Sequence, residues 1–284
     1  MFGKVKNTFG DIRNKKGENF VKMKRWKTWG SILFFSLFLF GLAACGGKEE
    51  AADADGNGLK DSYTVATDTS FVPFEFKEDG EYVGFDIDLI NAIADEVGFE
   101  INLETTNFDG IIPGLQTGQF DIALAGIGIT EERKKSIDYS DPYYESGLRI
   151  GVKNDNEEIK GVEDLEGKTI ATRLGSTSSA YIKENIDGAE ANEYEQLDQA
   201  YLAVENGSVD AVLYDAPNVA YYIQTKGEDS LKMVGDLYEA ENYGIAFAKD
   251  QEELVKAVNE ALETLKENGK YDEIYEKWFG EKPE

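Results

Sequence analysis

Several residue types that carry common enzyme chemistry are absent or scarce in this chain. Its 284 residues include no histidine and a single cysteine, Cys45. A Ser–His–Asp triad, a histidine zinc site and an internal disulfide are therefore excluded. The remaining carboxylates, arginines, lysines, hydroxyls and backbone groups suit ligand binding better than most catalysis. We expect neither a metal nor a cofactor.

Positive charge is also scarce. The chain has 29 Lys and Arg against 56 Asp and Glu, so its formal net charge is −27. A phosphate backbone is held by Lys and Arg, and a nucleic-acid partner is therefore not expected. The same excess of acid argues against adsorption of the folded part to anionic lipid, and an acidic surface serves mainly solubility.

One long hydrophobic run is present, at residues 31–42. It is shorter than the roughly 20 residues of a comfortable membrane span. Basic residues within positions 24–27 precede it, and small residues at 43–44 lead directly to Cys45. This order is typical of an export signal and resembles the lipobox of bacterial lipoproteins, whose signal is cut before a cysteine that carries diacylglycerol.

Residues 1–44 are therefore interpreted as a signal peptide, with Met23 as an alternative start because it begins a complete signal by itself. Cys45 is interpreted as the lipid-modified residue that anchors the protein to the outer face of the cell membrane. Residues 45–60 are rich in Gly, Ala, Asp and Glu without a hydrophobic period, which is typical of a flexible tether. A signal anchor that stays in the membrane is the alternative.

From residue 61 onward, apolar runs and helical periodicity alternate, which predicts α/β layers with mostly parallel sheets. The predicted strands are 63–67, 100–105, 121–127, 148–153, 169–173, 210–214 and 245–249. The predicted helices are 86–97, 109–117, 178–185, 197–206, 216–224, 251–267 and 271–279.

A weak internal repeat suggests where a binding site lies. Segments 115–124 and 204–213 each end a helix on glycine and open an apolar strand with an aspartate three residues later. Gly126 and Asp215 each follow the glycine of their segment by eight positions. Both are expected at the carboxyl end of a strand, where open α/β sheets bind ligands. The repeat predicts two similar lobes that share a cleft.

Several ordered motifs resemble one family of binding proteins. The motifs are ATD at 66–68, FVPFEF at 71–76, GFDIDL at 84–89, residues 108–118, AGIGITEER at 125–133, YGIAF at 243–247 and residues 268–280. In a single register over residues 61–281, the chain resembles the bacterial extracellular solute-binding proteins of family 3. These are polar-amino-acid lipoproteins of ABC importers, and the chain is most similar to the glutamine-binding branch.

The resemblance implies an α/β fold like that of the type II periplasmic binding proteins. Two α/β lobes would be joined by a two-strand hinge, with the ligand cleft between them. Lobe one would comprise residues 61–143 and 243–284, and lobe two residues 147–239. The hinge strands would lie near residues 144–146 and 239–242.

The resemblance also implies how the α-carboxylate of an amino acid is held. Arg133 would bind it through two parallel charge-assisted bonds. A helix start after Thr130 and the loop that leads to Thr177 and Ser178 would add backbone N–H donors. Gly128 stands where the family usually has Ser or Thr, so it offers only its N–H. From spacing alone, an exposed helix arginine and a solvated serine-rich turn are the alternatives.

For the α-ammonium, the resemblance implies Asp215 and the carbonyl of Gly126. From spacing alone, Asp215 is also the expected N-cap of the next helix, and it could serve both purposes. Gly126 alone indicates an ordinary turn at a strand end. A dehydrated ammonium requires such hydrogen-bonding partners, because burying an unpaired charge is costly.

For the ligand side chain, the resemblance implies that Asp68 and Arg173 contact a carboxamide from its two ends. Phe71 and Phe108 would sandwich the aliphatic stem, although core packing is the alternative for both rings. Glutamine is favoured because Asp68 would repel a second carboxylate. The glutamine branch typically has Lys in place of Arg173 and His in place of Tyr214. Glutamate, asparagine and the basic amino acids therefore stay open, in that order, and Arg173 disfavours cationic ligands.

The implied function is that of the substrate-binding component of an amino-acid ABC importer. Its partners would be a polar amino acid, the permease with its ATPase, and the membrane through the lipid anchor; the protein would act as a monomer without catalysis. Three alternatives remain: a dehydratase on the same fold, a ligand-sensing lipoprotein that works with a receptor, and a structural surface lipoprotein. A receptor fusion is not expected, because the sequence ends at Glu284 without a further membrane span.

Overall fold

The structure, a computed structural model, describes residues 58–280 and 282–283. The predicted signal peptide, Cys45 and most of the predicted tether lie outside the described residues. Across the described part of the chain, no helix has the length and apolar character needed to cross a membrane.

Strands and helices alternate along the described residues. Strands β1 to β13 are Ser62–Thr67, Ser70–Phe71, Glu75–Glu78, Glu81–Val83, Glu100–Thr105, Ile122–Ala123, Asp138–Tyr139, Tyr144–Lys153, Thr169–Arg173, Glu190–Tyr194, Ala211–Asp215, Leu231–Tyr243 and Ala246–Phe247. Helices α1 to α7 are Phe85–Val97, Phe108–Gln116, Thr177–Asn185, Leu197–Glu205, Ala216–Thr225, Glu252–Glu267 and Lys270–Phe279.

Two five-stranded sheets form the centres of two lobes. Their strand orders are β5-β1-β6-β13-β7 and β10-β9-β11-β8-β12. In each sheet three strands are parallel, and the other two join in antiparallel pairs. A small sheet, β2-β3-β4, precedes α1. The predicted α/β architecture with two sheet-containing lobes is confirmed.

The chain passes from the first sheet to the second and back. Strands β8 to β12 build the second sheet, and β13 then returns to the first sheet between β6 and β7. The first residues of β8 pair with the last residues of β12: Tyr144 pairs with Tyr243, Glu145 with Asn242, and Ser146 with Glu241. The two segments predicted as hinge strands therefore pair with each other.

Helix α1 shows how the sequence pattern produces the fold. Ile90, Ile93 and Ala94 are buried on the face that the periodicity predicts. Gly98 adopts a left-handed conformation with φ of 92°, and its N–H donates to the carbonyl of Ala94 at 2.8 Å. This left-handed cap satisfies a carbonyl at the helix end and stops the helix where predicted.

The structure differs from the predicted elements at several places. The predicted strand 121–127 is reduced to β6, because Gly126 turns the chain with φ of +52°. The prediction that a helix starts after Thr130 is wrong, because the chain forms a single 3₁₀ turn there, Arg133–Lys135. Strands β2, β3, β4, β7 and β10 and the part of β12 before residue 239 were not predicted, because these segments are short or lack a regular alternation of apolar residues.

Candidate ligand-binding cleft

Four of the predicted site residues lie at the carboxyl ends of strands. Asp68 follows β1 and Gly126 lies shortly after β6 in the first sheet. Arg173 ends β9 and Asp215 ends β11 in the second sheet. Because carboxyl ends of parallel strands meet at one edge, each lobe presents two site residues from the edge where such sheets bind ligands.

Asp68 and Arg173 connect the two lobes directly. Arg173 Nη1 lies 2.5 Å from Asp68 Oδ2, and each side chain is only 1% exposed. Within the described residues, Asp68 Oδ1 and Arg173 Nε and Nη2 are buried without hydrogen-bond partners. Such atoms are costly to leave unpaired, so they are suited to a polar group from a ligand. Contact from the two ends of a carboxamide would require this pair to part.

Arg133 reaches across from lobe one to lobe two. Its Nη1 donates to the carbonyl of Gly128 at 2.9 Å, and its Nη2 donates to the carbonyl of Gly175 at 3.0 Å. Its backbone N–H donates to Thr130 Oγ1 at 3.1 Å. Since Arg133 starts only a 3₁₀ turn, the group at this position with the chemistry to hold an anion is the guanidinium, not a helix N-terminus.

The two predicted aromatic contacts have different surroundings. The ring of Phe108 has the guanidinium carbon of Arg133 at 5.7 Å and that of Arg173 at 5.5 Å, so it lies within cation–π range of both. Phe71 presents its ring edge-on to Tyr214 of lobe two, with centroids 5.9 Å apart. Both rings therefore lie where the lobes meet.

Asp215 has an unsatisfied carboxylate oxygen. It is the N-cap residue of α5, but no side-chain capping bond is formed among the described residues. Tyr243 donates its hydroxyl to Asp215 Oδ2 at 2.5 Å, whereas Oδ1 is buried without a partner. Burial and the charge of Glu241 raise the pKa of Asp215 well above its usual range. An ammonium group would pair with Oδ1 and stabilise the charged form.

The backbone of Gly126 is held by the buried carboxyl group of Asp86. Its N–H donates to Asp86 Oδ2 at 2.9 Å, and the hydroxyl of Tyr143 donates to the same oxygen at 2.9 Å. Burial raises the pKa of Asp86 to about 6, and burial together with the charge of Asp86 raises that of Glu75. A β-carbon at residue 126 would overlap the ring of Phe71, so this close approach needs glycine.

The loop before α3 offers backbone donors rather than the Ser178 hydroxyl. That hydroxyl is buried and shares hydrogen bonds with Thr172 at 2.8 Å and Ser176 at 2.7 Å. The first N–H groups of a helix lack partners within the helix, so those of Thr177 and Ser178 can serve an anion. The Thr177 hydroxyl donates to Glu241 Oε2 at 2.9 Å.

Further hydrogen bonds hold the lobes together around these residues. Asn218 Nδ2 donates to the carbonyl of Val72 at 2.9 Å. Asn107 bonds with Glu195 and with Gln196, each at 3.2 Å. The structure therefore has the two lobes in contact, and the predicted site residues lie at their boundary.

Two neighbouring residues were missed from sequence. Glu241 falls in the predicted hinge and Asn218 in a predicted helix, and no local pattern marks either as part of a site. One signal was available for Glu241: the missing side chain at Gly128 leaves room for another group, and a β-carbon there would overlap Glu241 Oε1.

Comparison with known proteins identifies the family. The profile of the bacterial extracellular solute-binding proteins, family 3, matches residues 63–281. The chain belongs to this family. It is 36% identical over 276 residues to the ABC transporter glutamine-binding protein GlnH of Bacillus subtilis (strain 168), covering 92% of this chain and 99% of the relative. It is also 36% identical to an arginine-binding periplasmic protein of Mannheimia haemolytica, covering 77% of this chain and 91% of the relative.

Solved family structures show the same fold. An ancestral arginine-binding protein bound to glutamine is 44% identical, with a TM-score of 0.75 over 78% of this chain and 100% of the other. The ancestral amino acid-binding protein AncCDT-1, a precursor of cyclohexadienyl dehydratase, is 42% identical, with a TM-score of 0.71 over 77% of this chain and 96% of the other. The chain thus has the fold of the type II periplasmic amino-acid-binding proteins, in a family whose members bind different amino acids.

Proposed function

We propose that this protein is the substrate-binding component of an amino-acid ABC importer and that glutamine is its ligand. The observation that carries the proposal is the set of buried, incompletely paired charged groups at the lobe boundary. Asp68 and Arg173 form one part of it, and the free oxygen of Asp215 forms another. Complementary groups on a small polar ligand would satisfy these atoms. The similarity to a glutamine-binding relative supports the choice of ligand.

The main-chain groups of the ligand would be divided between the lobes. Arg133 would take the α-carboxylate, helped by the N–H groups of Gly128, Thr177 and Ser178. Asp215 would take the α-ammonium on the oxygen that Tyr243 leaves free. The carbonyl of Gly126 would accept from the same ammonium.

The side-chain amide would be contacted by Asp68 and Arg173. A carboxamide offers both a donor and an acceptor, so it can insert between a carboxylate and a guanidinium that now touch each other. Phe71 and Phe108 would flank the aliphatic stem. Glutamate would place a second negative charge beside Asp68, and we expect it to bind more weakly.

Ligand binding would favour the closed arrangement of the lobes. The proposed contacts come from Asp68 and Arg133 on one lobe and from Arg173 and Asp215 on the other. A ligand that touches both lobes binds the closed form better and shifts the population towards it. The closed monomer is the form that a permease with its ATPase would recognise, and no covalent step is needed.

The segment outside the described residues supports a surface location. Basic residues, a short apolar run and small residues before Cys45 fit a cleaved lipoprotein signal. We propose that Cys45 is lipidated and that residues 45–60 tether the binding lobes to the outer face of the membrane. Mass spectrometry of the membrane-associated protein would detect a diacylated N-terminal Cys45, whereas an unmodified or uncleaved N-terminus would contradict this part.

A calorimetric titration tests the proposed function. The protein is unfolded and refolded to remove carried-over ligand and is then titrated with each of the twenty amino acids. Glutamine should bind most tightly, and an assay with cyclohexadienyl acids should show no turnover. Tightest binding of another amino acid would overturn the glutamine assignment, and binding of none would overturn the importer role.

A further inference from the structure

The carboxyl group of Glu241 lies at the lobe boundary, beside Gly128 and Thr177. Glu241 lies in β12 and pairs with Ser146 in the antiparallel ladder. Its Oε2 accepts from the Thr177 hydroxyl at 2.9 Å, and its Oε1 lies against Gly128, where a β-carbon would overlap it. The hinge glutamate therefore contacts an element of each lobe.

The surroundings of this carboxyl group are those of the proposed α-carboxylate site. Gly128 accepts through its carbonyl from Arg133 at 2.9 Å and from the Tyr139 hydroxyl at 3.1 Å. Thr177 begins α3, whose first N–H groups face the same anion in the proposed complex. A ligand carboxylate held by Arg133 and these amides would lie beside the carboxyl of Glu241.

The charges around the ligand do not balance if Glu241 is ionised. The charges of Asp68 and Arg173 cancel, whether the two groups touch each other or a carboxamide lies between them. The charge of Arg133 then acts on two acids, Asp215 and Glu241. A zwitterion adds one positive and one negative charge, so one carboxylate stays without a counter-ion next to the ligand carboxylate. Two adjacent carboxylates cannot both stay ionised without a large cost, whereas one shared proton gives a short O–H···O bond.

We propose that Glu241 is a ligand-contacting residue that binds the α-carboxylate as a protonated acid, donating from the oxygen beside Gly128. The proposal rests on the proposed function and deepens it. Thr177 donates to one oxygen of the carboxyl, so the proton resides on the other, Oε1. Gly128 is required because any side chain at that position would occupy the space of Oε1.

The titratable and charged groups that face this carboxyl are consistent with a held proton. They are Arg133, Tyr139, Asp215, Glu239 and Tyr243. Burial raises the pKa of Glu241, and the charge of Glu239 adds to this, while the Thr177 bond and Arg133 oppose it. A groove of about 630 Å³ is lined in part by Ser146 and Glu241.

A set of variants tests whether a hydroxyl at residue 128 can replace the carboxyl group of Glu241 as a hydrogen-bond donor. The purified protein, freed of carried-over ligand, is titrated with glutamine at one pH. Glu241→Ala should weaken binding about tenfold or more, because a hydrogen bond to a charged group is lost. Adding Gly128→Ser to that variant should restore affinity to within about threefold, since a hydroxyl then takes the same place. The matched double variant with Gly128→Ala has no donor and should stay weak.

A pH series tests the proton. Glu241→Gln keeps an N–H donor that does not titrate. Below the raised pKa of Glu241 in the free protein, the wild type and this variant should bind glutamine equally within about threefold. Above it, the affinity of the wild type relative to the variant should fall by up to about tenfold per pH unit, because binding then requires proton uptake. Because the charge of Glu241 also raises the pKa of Asp215, the same pair of titrations in an Asp215→Asn background separates the titration of Glu241 from that of Asp215.

The outcomes separate this inference from the proposed function. Absence of amino-acid binding by the wild type would overturn the proposed function itself. If the wild type binds, three results would overturn only the role of Glu241: unchanged or tighter binding by Glu241→Ala, equal affinities of the serine and alanine double variants, or a pH-independent affinity ratio. Thermal melting of each variant shows that it is folded.

Discussion

Asp68 and Arg173 form a buried ion pair across the two lobes, with Nη1 and Oδ2 2.5 Å apart and both side chains 1% exposed. Taking two charges out of water is costly, and their mutual attraction offsets this cost only while both partners are present. We therefore expect the lobes to stay in contact only while both residues of the pair are present.

Replacing one partner of this pair should open the cleft. In Asp68→Ala, the buried guanidinium of Arg173 loses its counter-charge, and separation of the lobes is the cheapest way to hydrate it. Small-angle scattering without ligand should give a larger radius of gyration than for the wild type. The double variant Asp68→Ala with Arg173→Met buries no charge and should return to the compact value. An unchanged radius in Asp68→Ala would show that the pair does not control closure.

Arg133 should be needed for its forked geometry as well as its charge. Arg133→Ala should lose detectable glutamine binding, about a hundredfold or more, and Arg133→Lys should recover only part of it because an ammonium cannot make two parallel bonds. Lys134→Ala is the matched control: Lys134 is exposed and pairs with Glu131 at 2.9 Å. Calorimetry measures all three variants. Wild-type affinity in Arg133→Ala would refute the carboxylate assignment.

Asp215→Asn should affect stability and binding in opposite directions. Burial and Glu241 raise the pKa of Asp215, so above pH 4 its ionisation disfavours the folded state without ligand. Asparagine removes that penalty and can still accept from Tyr243, so the melting temperature at pH 7 should rise. Glutamine affinity should fall at least about tenfold, because the ammonium loses its counter-charge. A lower melting temperature together with unchanged affinity would contradict both roles.

Glu75 should make the stability of the fold depend on pH. Both of its carboxyl oxygens are buried and lack hydrogen-bond partners in the part of the chain that the structure describes. Burial, followed by the charges of Asp86 and Asp68, raises its pKa well above 4.5. The folded state thus keeps a proton that the unfolded state releases above pH 4.5, so this group lowers stability as the pH rises from there towards its folded pKa.

The matching variant is Glu75→Gln, which removes the titrating group. Chemical denaturation of both proteins from pH 4 to pH 8 gives the difference in free energy of unfolding. The variant should gain on the wild type as the pH rises and show little difference near pH 4. A difference that does not change with pH would mean that Glu75 titrates normally in the folded protein.

The helices were predictable because their signals are local. Apart from the helix expected after Thr130, predicted helix bounds differ from the observed ones by at most one residue, as for α1 with its apolar face and its Gly98 cap. Strands fared less well because they depend on distant partners. Leu231–Tyr243 has no alternating pattern of apolar residues, and it is a strand because it pairs with β8.

The site was predictable only as far as family motifs carry residue roles. The position of Asp215 at a strand end agrees with the internal repeat, and the positions of Asp68 and Arg173 agree with the predicted strands 63–67 and 169–173. Their mutual contacts were not predictable, because an ion pair between Asp68 and Arg173 depends on how the lobes meet. The contact between Glu241 and Gly128 was not predictable either, because the two residues are far apart in the sequence and meet only in the folded chain.

The most direct test of the central proposal is a crystal structure of the protein with glutamine bound. We expect the α-carboxylate within hydrogen-bond distance of the Arg133 guanidinium, the ammonium on Asp215, and the carboxamide between Asp68 and Arg173. Glutamine bound elsewhere, or in the cleft without contact to either Arg133 or Asp215, would contradict it.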